Sequence, residues 1–226
     1  MDLYVYNLDE YTTDSRQGNE FALIWPFRLA VAGSSDSGKT TMIINLLMGD
    51  KKAKKNGESK IPNVEDFDPT QATVVIFEDL MDAPKKTQDL ITGFFTHRRH
   101  KNISCIYVAQ RFFAISKAIR ENVNYISLHG GHGSLTDTKR IIHQYTKESK
   151  SLTPVIDDLT LQREFVVFDP RRSKNDPLSV LVKWDTSLSS ISVQSPFDPS
   201  LNPVQSQFDP SLNPVRSQFD LSLNPV

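Results

Sequence analysis

One interrupted apolar run constrains this chain more than any other feature. Residues 27–32 have the composition of a buried strand, and Lys39–Met48 has the pattern of a helix. The residues between them fit G-x-x-x-x-G-K-[ST] and read Gly33, Ser34, Ser35, Asp36, Ser37, Gly38, Lys39 and Thr40, with Thr41 next. The glycines let the backbone curl, so that successive N–H groups point into one concavity at a helix N-terminus. The sequence therefore predicts a phosphate-binding loop.

The side chains at the end of this loop predict which ligand it holds. Lys39 supplies a positive charge for the β- and γ-phosphates of a nucleotide, and the Thr40 hydroxyl faces Mg²⁺. The positive end of the helix dipole adds to this attraction. We therefore expect ATP and Mg²⁺ as cofactors, held by residues 33–41. The alternative interpretation is a Gly/Ser turn that binds nothing.

Two further sets of polar residues follow strand-like segments. The β-branched run at 73–77 ends in Glu78 and Asp79, where one carboxylate can serve the metal and the other the attacking water. We assign the metal to Glu78 and the water to Asp79, although the sequence allows the opposite order. Gln110 follows Ile103–Ala109, at the end of a strand where it can contact both γ-phosphate and water. The predicted catalytic residues are thus Lys39, Glu78, Asp79 and Gln110.

Strand-like and helix-like segments alternate along the chain. Further strands are expected at Tyr125–Leu128, 164–168 and 179–184, the last two pairing as a hairpin. Further helices are expected from residue 84, at 116–120 and at 136–145, the first with its inward face formed by Leu90, Ile91, Phe94 and Phe95. This alternation predicts an α/β fold, a mostly parallel sheet with helices on both faces. Together with the phosphate-binding loop, it predicts a fold of the P-loop NTPase type.

The chain divides by composition into three parts. We expect an N-terminal arm at 1–20, an ATPase domain at 21–184 and a disordered tail at 185–226. The tail contains three 11-residue repeats, of which the last comprises ten residues: SPFDPSLNPVQ, SQFDPSLNPVR and SQFDLSLNPV. Proline in every copy excludes a helical supercoil, and each unit has too few apolar residues to form a solenoid core. The tail is interpreted either as a duplicated linker or as a repeated docking motif for a partner.

Charge and cysteine content bear on the compartment. The 226 residues have a formal net charge of −1, but the tail alone carries −3 and the rest +2. Cys105 is the single cysteine, which suits a reducing compartment. The acidic start has no signal-peptide pattern, and the longest apolar stretch near it, residues 21–32, is too short to span a bilayer and contains Arg28. We expect a soluble intracellular protein, cytoplasmic or nuclear, without a membrane partner.

Basic residues are clustered in two places, each with two interpretations. The lysine-rich loop within 50–72 is either a solvated charge run or a phosphate contact. Residues 85–120 carry eight lysines and arginines against one acid, Asp89. These cations either interact favourably with the dipole at a helix C-terminus or form a surface for nucleic acid. Arg99 or Arg120 is a candidate arginine finger. His129 and His132 lie in a glycine-rich loop, interpreted as a turn rather than a zinc site.

The order of these motifs resembles a known family. The segments WPFRLAVAGSSDSGKTTMIINLL, VVIFEDL, RHKNISCIYVAQRFF and IRENVNYISLHGG, within residues 21–148, are similar to the poxvirus-type DNA-packaging ATPases of the HerA/FtsK-like translocases. The resemblance implies an ASCE-type, RecA-like ATPase that assembles as a homo-oligomeric ring and moves double-stranded DNA. It assigns phosphate binding to residues 33–40, the acidic pair to Glu78 and Asp79, and the sensor role to Gln110.

Two departures from that family suggest an alternative function. Glu78 stands where such proteins usually have aspartate, and the interval from Lys39 to Glu78 lacks room for their additional strand and helix. Loss of that strand is expected to narrow the sheet. An abbreviated, captured viral copy in a eukaryotic genome fits these features. The alternative to a DNA translocase is therefore a nucleotide-binding relic or binding module without motor activity. A GTPase is disfavoured because the sequence has no N-K-x-D motif.

Overall fold

The computed structural model describes residues 2–7, 23–48, 56–58, 61–96, 101–147, 149–184 and 186–188. Within them, one sheet contains β1 (Asp2–Asn7), β2 (Arg28–Ala32), β3 (Asn56–Glu58), β4 (Thr73–Glu78), β5 (Ile103–Ala109), β6 (Tyr125–Leu128), β7 (Val166–Phe168), β8 (Val180–Val182) and β9 (Thr186–Ser187). The helices are α1 (Lys39–Met48), α2 (Lys85–Thr96), α3 (Lys117–Arg120), α4 (Leu135–Tyr145) and α5 (Ser149–Leu161). The repeats predicted to be disordered lie outside the described residues.

The strand order places parallel pairing in the centre of the sheet. The order is β3-β1-β4-β5-β2-β6-β7-β8-β9, and the central four strands, β4, β5, β2 and β6, run parallel. The flanking strands pair antiparallel, and β7 and β8 form the predicted hairpin. β5 therefore lies between the strand before the glycine-rich loop and the strand that ends in the acidic pair. The predicted α/β fold of the P-loop NTPase type is confirmed.

The central strands are buried on both faces, which is why they read as continuous apolar runs. All seven residues of β5 are buried, as are the last four of β2. One face of the sheet packs against Met42 and Ile43 of α1, and the other packs against buried residues of α2, α4 and α5. Helices thus cover both faces, as predicted. Among the described helices, none combines the length and apolar character that a bilayer crossing requires.

The inward face of α2 is narrower than predicted. Ile91, Phe94 and Phe95 are buried, and Phe94 contacts the ring of Phe77 at a centroid distance of 5.2 Å. Leu90, which we also predicted to point inward, is 38% exposed, so that prediction is wrong. The buried stripe of α2 consists of residues spaced i, i+3 and i+4, which are Ile91, Phe94 and Phe95. Leu90 precedes this set and lies beyond the edge of the stripe.

The N-terminal residues complete the edge of the sheet beyond β4. β1 pairs antiparallel with β4 along its whole length, from Asp2 beside Glu78 to Asn7 beside Thr73, and β3 pairs with the outer side of β1. β4 is therefore not an edge strand, although the interval between Lys39 and Glu78 is short. This differs from our expectation that the short interval would narrow the sheet. A second difference is α5, which the sequence analysis did not assign and which contains Pro154.

Replacing Phe95 with Ala should destabilise the protein far more than replacing Leu90 in the same helix. Phe95 is fully buried against Phe77 and Tyr107, so its truncation leaves a cavity and should lower the free energy of unfolding by about 3–5 kcal/mol. Leu90→Ala should cost less than about 1 kcal/mol. Urea unfolding of both variants measures the difference, and equal losses would contradict the packing described here.

Candidate functional site

The four parallel strands end together at one edge of the sheet. Ala32 of β2 is in register with Ala109 of β5 and Leu128 of β6, and Glu78 of β4 is in register with Val108. Because parallel strands share a direction, the residues that follow them gather at their common carboxyl edge, where α/β sheets bind ligands. Those residues are Gly33, Asp79, Gln110 and His129.

The loop at 33–40 has the backbone that its glycines predict. Gly38 has a φ of 86°, and an added Cβ there would meet nothing within 4 Å, so glycine is required by conformation and not by space. Asp36 also has a positive φ, 61°, which aspartate tolerates better than most residues. The first bond of α1 runs from the Met42 N–H to the Gly38 carbonyl, at 2.9 Å. The N–H groups ahead of Met42 in this turn belong to the helix N-terminus, where anions bind.

The side chain of Lys39 folds back onto the loop. Its Nζ donates to the carbonyls of Gly33 and Ser34 at 2.7 and 2.6 Å, so the ammonium lies against the loop that it terminates. Burial lowers the pKa of Lys39, while the carboxylates of Asp79, Glu78 and Asp36 act in the opposite direction. The structure therefore places the predicted lysine, the glycine-rich loop and both predicted acids within electrostatic reach of one another.

The two acids occupy different environments at the end of β4. Val74 and Ile76 pack on the face covered by α1, and alternation along the strand places Glu78 on that same face. Asp79 is exposed, has a φ of 50°, and its N–H donates to the Val108 carbonyl at 3.2 Å. The chain thus turns at Asp79, which separates the directions of the two carboxylates at the same sheet edge.

Gln110 lies beside the start of the phosphate loop. The Gly33 N–H donates to the carbonyl of Ala109, the residue before Gln110, at 3.1 Å. Gln110 itself is exposed, and two residues later the Phe112 N–H donates to the His132 carbonyl at 3.1 Å. The candidate sensor is therefore held between the loop at 33–40 and the segment that follows β6.

Sequence reasoning missed the importance of that segment, residues 129–133, which we call the glycine-histidine turn. The Ser34 N–H donates to the Gly130 carbonyl at 2.8 Å, and a Cβ on Gly131 would lie 2.6 Å from Ser34 Cβ. A Cβ on Gly130 would lie 2.8 Å from the Thr160 carbonyl oxygen. Adjacent glycines directly after a central parallel strand were the available signal, since such a position belongs to the carboxyl edge.

The histidines of this turn are buried and hydrogen-bonded within the protein. His129 is 1% exposed; its Nδ1 lies 3.1 Å from the Ser37 carbonyl oxygen and its Nε2 3.1 Å from Ser127 Oγ. His132 contacts the His129 carbonyl and the Thr138 hydroxyl through its two ring nitrogens. Burial lowers the pKa of His129 to about 4, with the nearby Lys39 charge acting in the same direction, and burial also lowers the pKa of His132.

The predicted basic stretch is only partly available to a ligand. Lys101 forms an ion pair with Glu65 at 3.0 Å. The Arg120 Nε donates to the Ile115 carbonyl at 2.9 Å, and its guanidinium lies 4.9 Å from the centre of the Phe113 ring. Arg120 is thus engaged within its own chain, while Arg98 and Arg99 lie outside the described residues. Among the described residues of the stretch, the exposed cations are Lys85, Lys86, Arg111 and Lys117, of which Lys117 forms an ion pair with Glu121 at 3.5 Å.

A separate groove of about 990 Å³ lies between α4 and α5. Its lining includes Phe113, Leu135 and Pro154 as apolar residues. The charged residues of the lining are Arg120, Lys139, Arg140, Lys150 and Asp157. Apart from Arg120, the candidate arginine finger, none of the predicted site residues lines this groove.

Comparison with known proteins gives matches only among solved structures. Neither protein-family models nor curated proteins match the chain. The genome packaging NTPase B204 from Sulfolobus turreted icosahedral virus 2 is similar in its complexes with ATP-gammaS and with AMP. These complexes are 15% and 12% identical, cover 65% and 71% of this chain and 93% and 98% of theirs, and have TM-scores of 0.44 and 0.49.

B204, the DNA-packaging ATPase from Sulfolobus turreted icosahedral virus, is similar at 12% identity, over 66% of this chain and 95% of its own, with a TM-score of 0.44. At identities this low, likeness extends no further than the fold. The fold assignment itself follows from the strand order and register of this chain.

Acidification should destabilise the protein through His129. Its pKa is depressed from 6.5 to about 4, so its contribution to the free energy of unfolding is complete above pH 6.5 and is lost as pH falls from 6.5 through about 4. The expected loss is on the order of 3 kcal/mol. Urea unfolding between pH 7 and pH 4 should therefore show a steeper decline for the wild type than for His129→Asn.

The matched control is His143→Asn, because His143 is exposed on α4. This variant should follow the wild-type pH profile. Parallel profiles for the wild type and His129→Asn would show that the buried imidazole does not resist protonation as described.

Proposed function

We propose that this chain binds Mg·ATP at residues 33–41 and hydrolyses it, and that hydrolysis drives the movement of double-stranded DNA. The observation that carries the proposal is the position of β5 between β2 and β4. This order brings the loop at 33–40, the acidic pair and Gln110 to the same sheet edge, which is the arrangement required for nucleotide hydrolysis by an ASCE-type ATPase.

The residues present fit a nucleoside triphosphate and its metal ion. Backbone N–H groups at the start of α1 can donate to phosphate oxygens, and the Lys39 ammonium, which donates to two loop carbonyls, has a third N–H for the same purpose. Mg²⁺ prefers oxygen ligands, and Thr40 and Glu78 supply a hydroxyl and a carboxylate near this helix end. The influence of both acids on the pKa of Lys39 supports this placement. Thr40 and Glu78 are thus the proposed metal-binding residues.

Each remaining residue has a role that matches its chemistry. Mg·ATP, when bound, supplies the phosphoanhydride bond and a divalent charge beside it. Asp79, exposed at the strand end, orients the attacking water and accepts its proton. Gln110 donates to the terminal phosphate and accepts from water, so that it reports the state of the nucleotide. Lys39 neutralises negative charge on the outer phosphates.

The DNA-moving part of the proposal is supported by charge and by motif order. The exposed Lys85, Lys86, Arg111 and Lys117 belong to one stretch of sequence and suit a phosphate backbone. The order of the four segments resembles DNA-packaging translocases, which implies a homo-oligomeric ring around duplex DNA. Such a ring would allow a neighbouring subunit to supply an arginine to the nucleotide.

A nucleotide-binding relic or binding module is the second candidate. The observation that favours it is the content of the interval between α1 and β4. In the described part of that interval, the regular structure is the three-residue β3 and one 3₁₀ turn at Val64–Asp66. A chain lacking the additional strand and helix of the DNA-packaging ATPases can keep its phosphate loop and lose motor activity.

Steady-state ATP hydrolysis, measured with and without duplex DNA, tests the proposal. The wild type should hydrolyse ATP, and duplex DNA should raise the rate in a salt-dependent manner. Lys39→Ala should lower kcat/KM by at least about 100-fold, because it removes the charge aimed at the phosphates. Lys174→Ala is the matched control, since this exposed lysine follows the antiparallel β7 and so lies at the opposite sheet edge.

The possible outcomes separate the two candidates. Hydrolysis that is lost in Lys39→Ala and retained in Lys174→Ala supports an ATPase, and stimulation by DNA supports a translocase. Binding of Mg·ATP without turnover favours the relic or binding module. Turnover that is equal in both lysine variants would contradict the assignment of the active site.

A further inference from the structure

We propose that His129 is a positioning residue for phosphate binding. From the buried side of the loop, it orients one of the loop's peptide groups. Its Nδ1 donates to the carbonyl of Ser37 and so fixes the peptide bond between Ser37 and Gly38. This inference rests on the proposed function, because it concerns how the loop at 33–40 presents its N–H groups to phosphate.

The hydrogen-bond partners settle which ring nitrogen carries the proton. A backbone carbonyl only accepts hydrogen bonds, so the contact of 3.1 Å between Nδ1 and the Ser37 oxygen requires the proton on Nδ1. In the neutral ring Nε2 is then an acceptor, and it lies 3.1 Å from the hydroxyl of Ser127, which is fully buried. Both nitrogens of His129 are therefore satisfied in one tautomer only.

Packing holds the ring in this orientation. His129 stacks on Phe165 with a centroid distance of 5.0 Å and an interplanar angle of 16°. Its backbone N–H donates to the Ala32 carbonyl at 2.8 Å, which ties it to the end of β2. A Cβ added to Gly33 would lie 2.6 Å from His129 Cβ, so the loop starts directly against this residue. Stacking thus holds the ring, and the backbone of His129 lies against both the end of β2 and the start of the loop.

The effect on the loop follows from peptide geometry. In a trans peptide the carbonyl and the next N–H point in opposite directions. Since the Ser37 carbonyl points at the buried His129, the Gly38 N–H points toward the exposed side of the loop, together with the first N–H groups of α1. Gly38 has a φ of 86° and open space around its Cβ position, so the peptide could rotate if the carbonyl were released. Rotation would present a carbonyl oxygen to the phosphate.

Two substitutions of His129 separate this role from packing alone. In His129→Asn the side-chain amide N–H can take the place of Nδ1 and donate to Ser37. In His129→Gln the longer amide reaches the position of Nε2 and serves Ser127, which leaves the Ser37 carbonyl without its donor. Both variants lose the imidazole and its stacking on Phe165, so their thermal stabilities without nucleotide should be similar.

Calorimetric titration of the full chain with Mg·ADP provides the readout. We expect His129→Gln to weaken binding by about 10- to 100-fold, the range for a lost hydrogen bond to a charged group, and His129→Asn to remain within about threefold of the wild type. Ser127→Ala keeps the donor to Ser37 and should also bind normally. Should His129→Gln not fold, His129→Phe replaces it, since it keeps the ring and has no donor.

The outcomes distinguish this inference from the proposed function. If the wild type binds Mg·ADP and His129→Gln binds equally well, the positioning role is wrong while nucleotide binding stands. Equal weakening in His129→Asn and His129→Gln would reduce His129 to a packing residue and would also overturn the inference. If the wild type binds no Mg·ADP and no Mg·ATP, the proposed function and this inference both fail.

Discussion

The parallel register of β4, β5, β2 and β6 is the constraint on which the rest of the structure depends. These strands are buried on both faces, and a shift of one residue in any of them would exchange the side chains packed against α1 with those packed against α2, α4 and α5. The register is therefore fixed by the core. Because the strands end together, the same packing that stabilises the sheet also assembles the candidate site at its carboxyl edge.

The glycine-histidine turn forms a second packed layer that supports the loop at 33–40. The glycine-histidine turn contacts the loop through Gly130, Gly131 and His129, and contacts the segment after Gln110 through the His132 carbonyl. Its histidines are buried where a charged imidazole would be costly, so the turn is maintained by neutral hydrogen bonds and close backbone approach. The elements that would meet a nucleotide are therefore supported by a preorganised base.

Sequence patterns gave the central elements because those patterns are set locally. The strands Ile103–Ala109 and Tyr125–Leu128 and the helix Lys39–Met48 have the predicted bounds. Mostly apolar runs mark the two strands, and glycines flank the helix in the sequence. Gly33, Lys39, Glu78, Asp79 and Gln110 meet at one edge as the motif order implies. Their individual roles remain predictions, because roles depend on a ligand that a sequence pattern does not position.

The elements that were missed depend on tertiary contacts. β1 lies in an acidic, aromatic N-terminal segment, and its place beside β4 is an antiparallel pairing across about seventy residues of sequence. The sequence analysis did not assign α5, which contains Pro154, a residue that is unfavourable in a helix interior. Leu90 fits the apolar spacing of α2 and is nonetheless partly exposed. The role that we propose for His129 was not recognisable from the sequence, because its partners, Ser37 and Phe165, are distant in sequence.

Isothermal titration of the full chain with Mg·ATP tests the central claim most directly, which is that the loop at 33–40 grips a triphosphate. The account predicts saturable binding with one nucleotide per chain, and a loss of that binding in Lys39→Ala while the folded state is retained. No heat of binding from the wild type, or equal binding by Lys39→Ala, would contradict it.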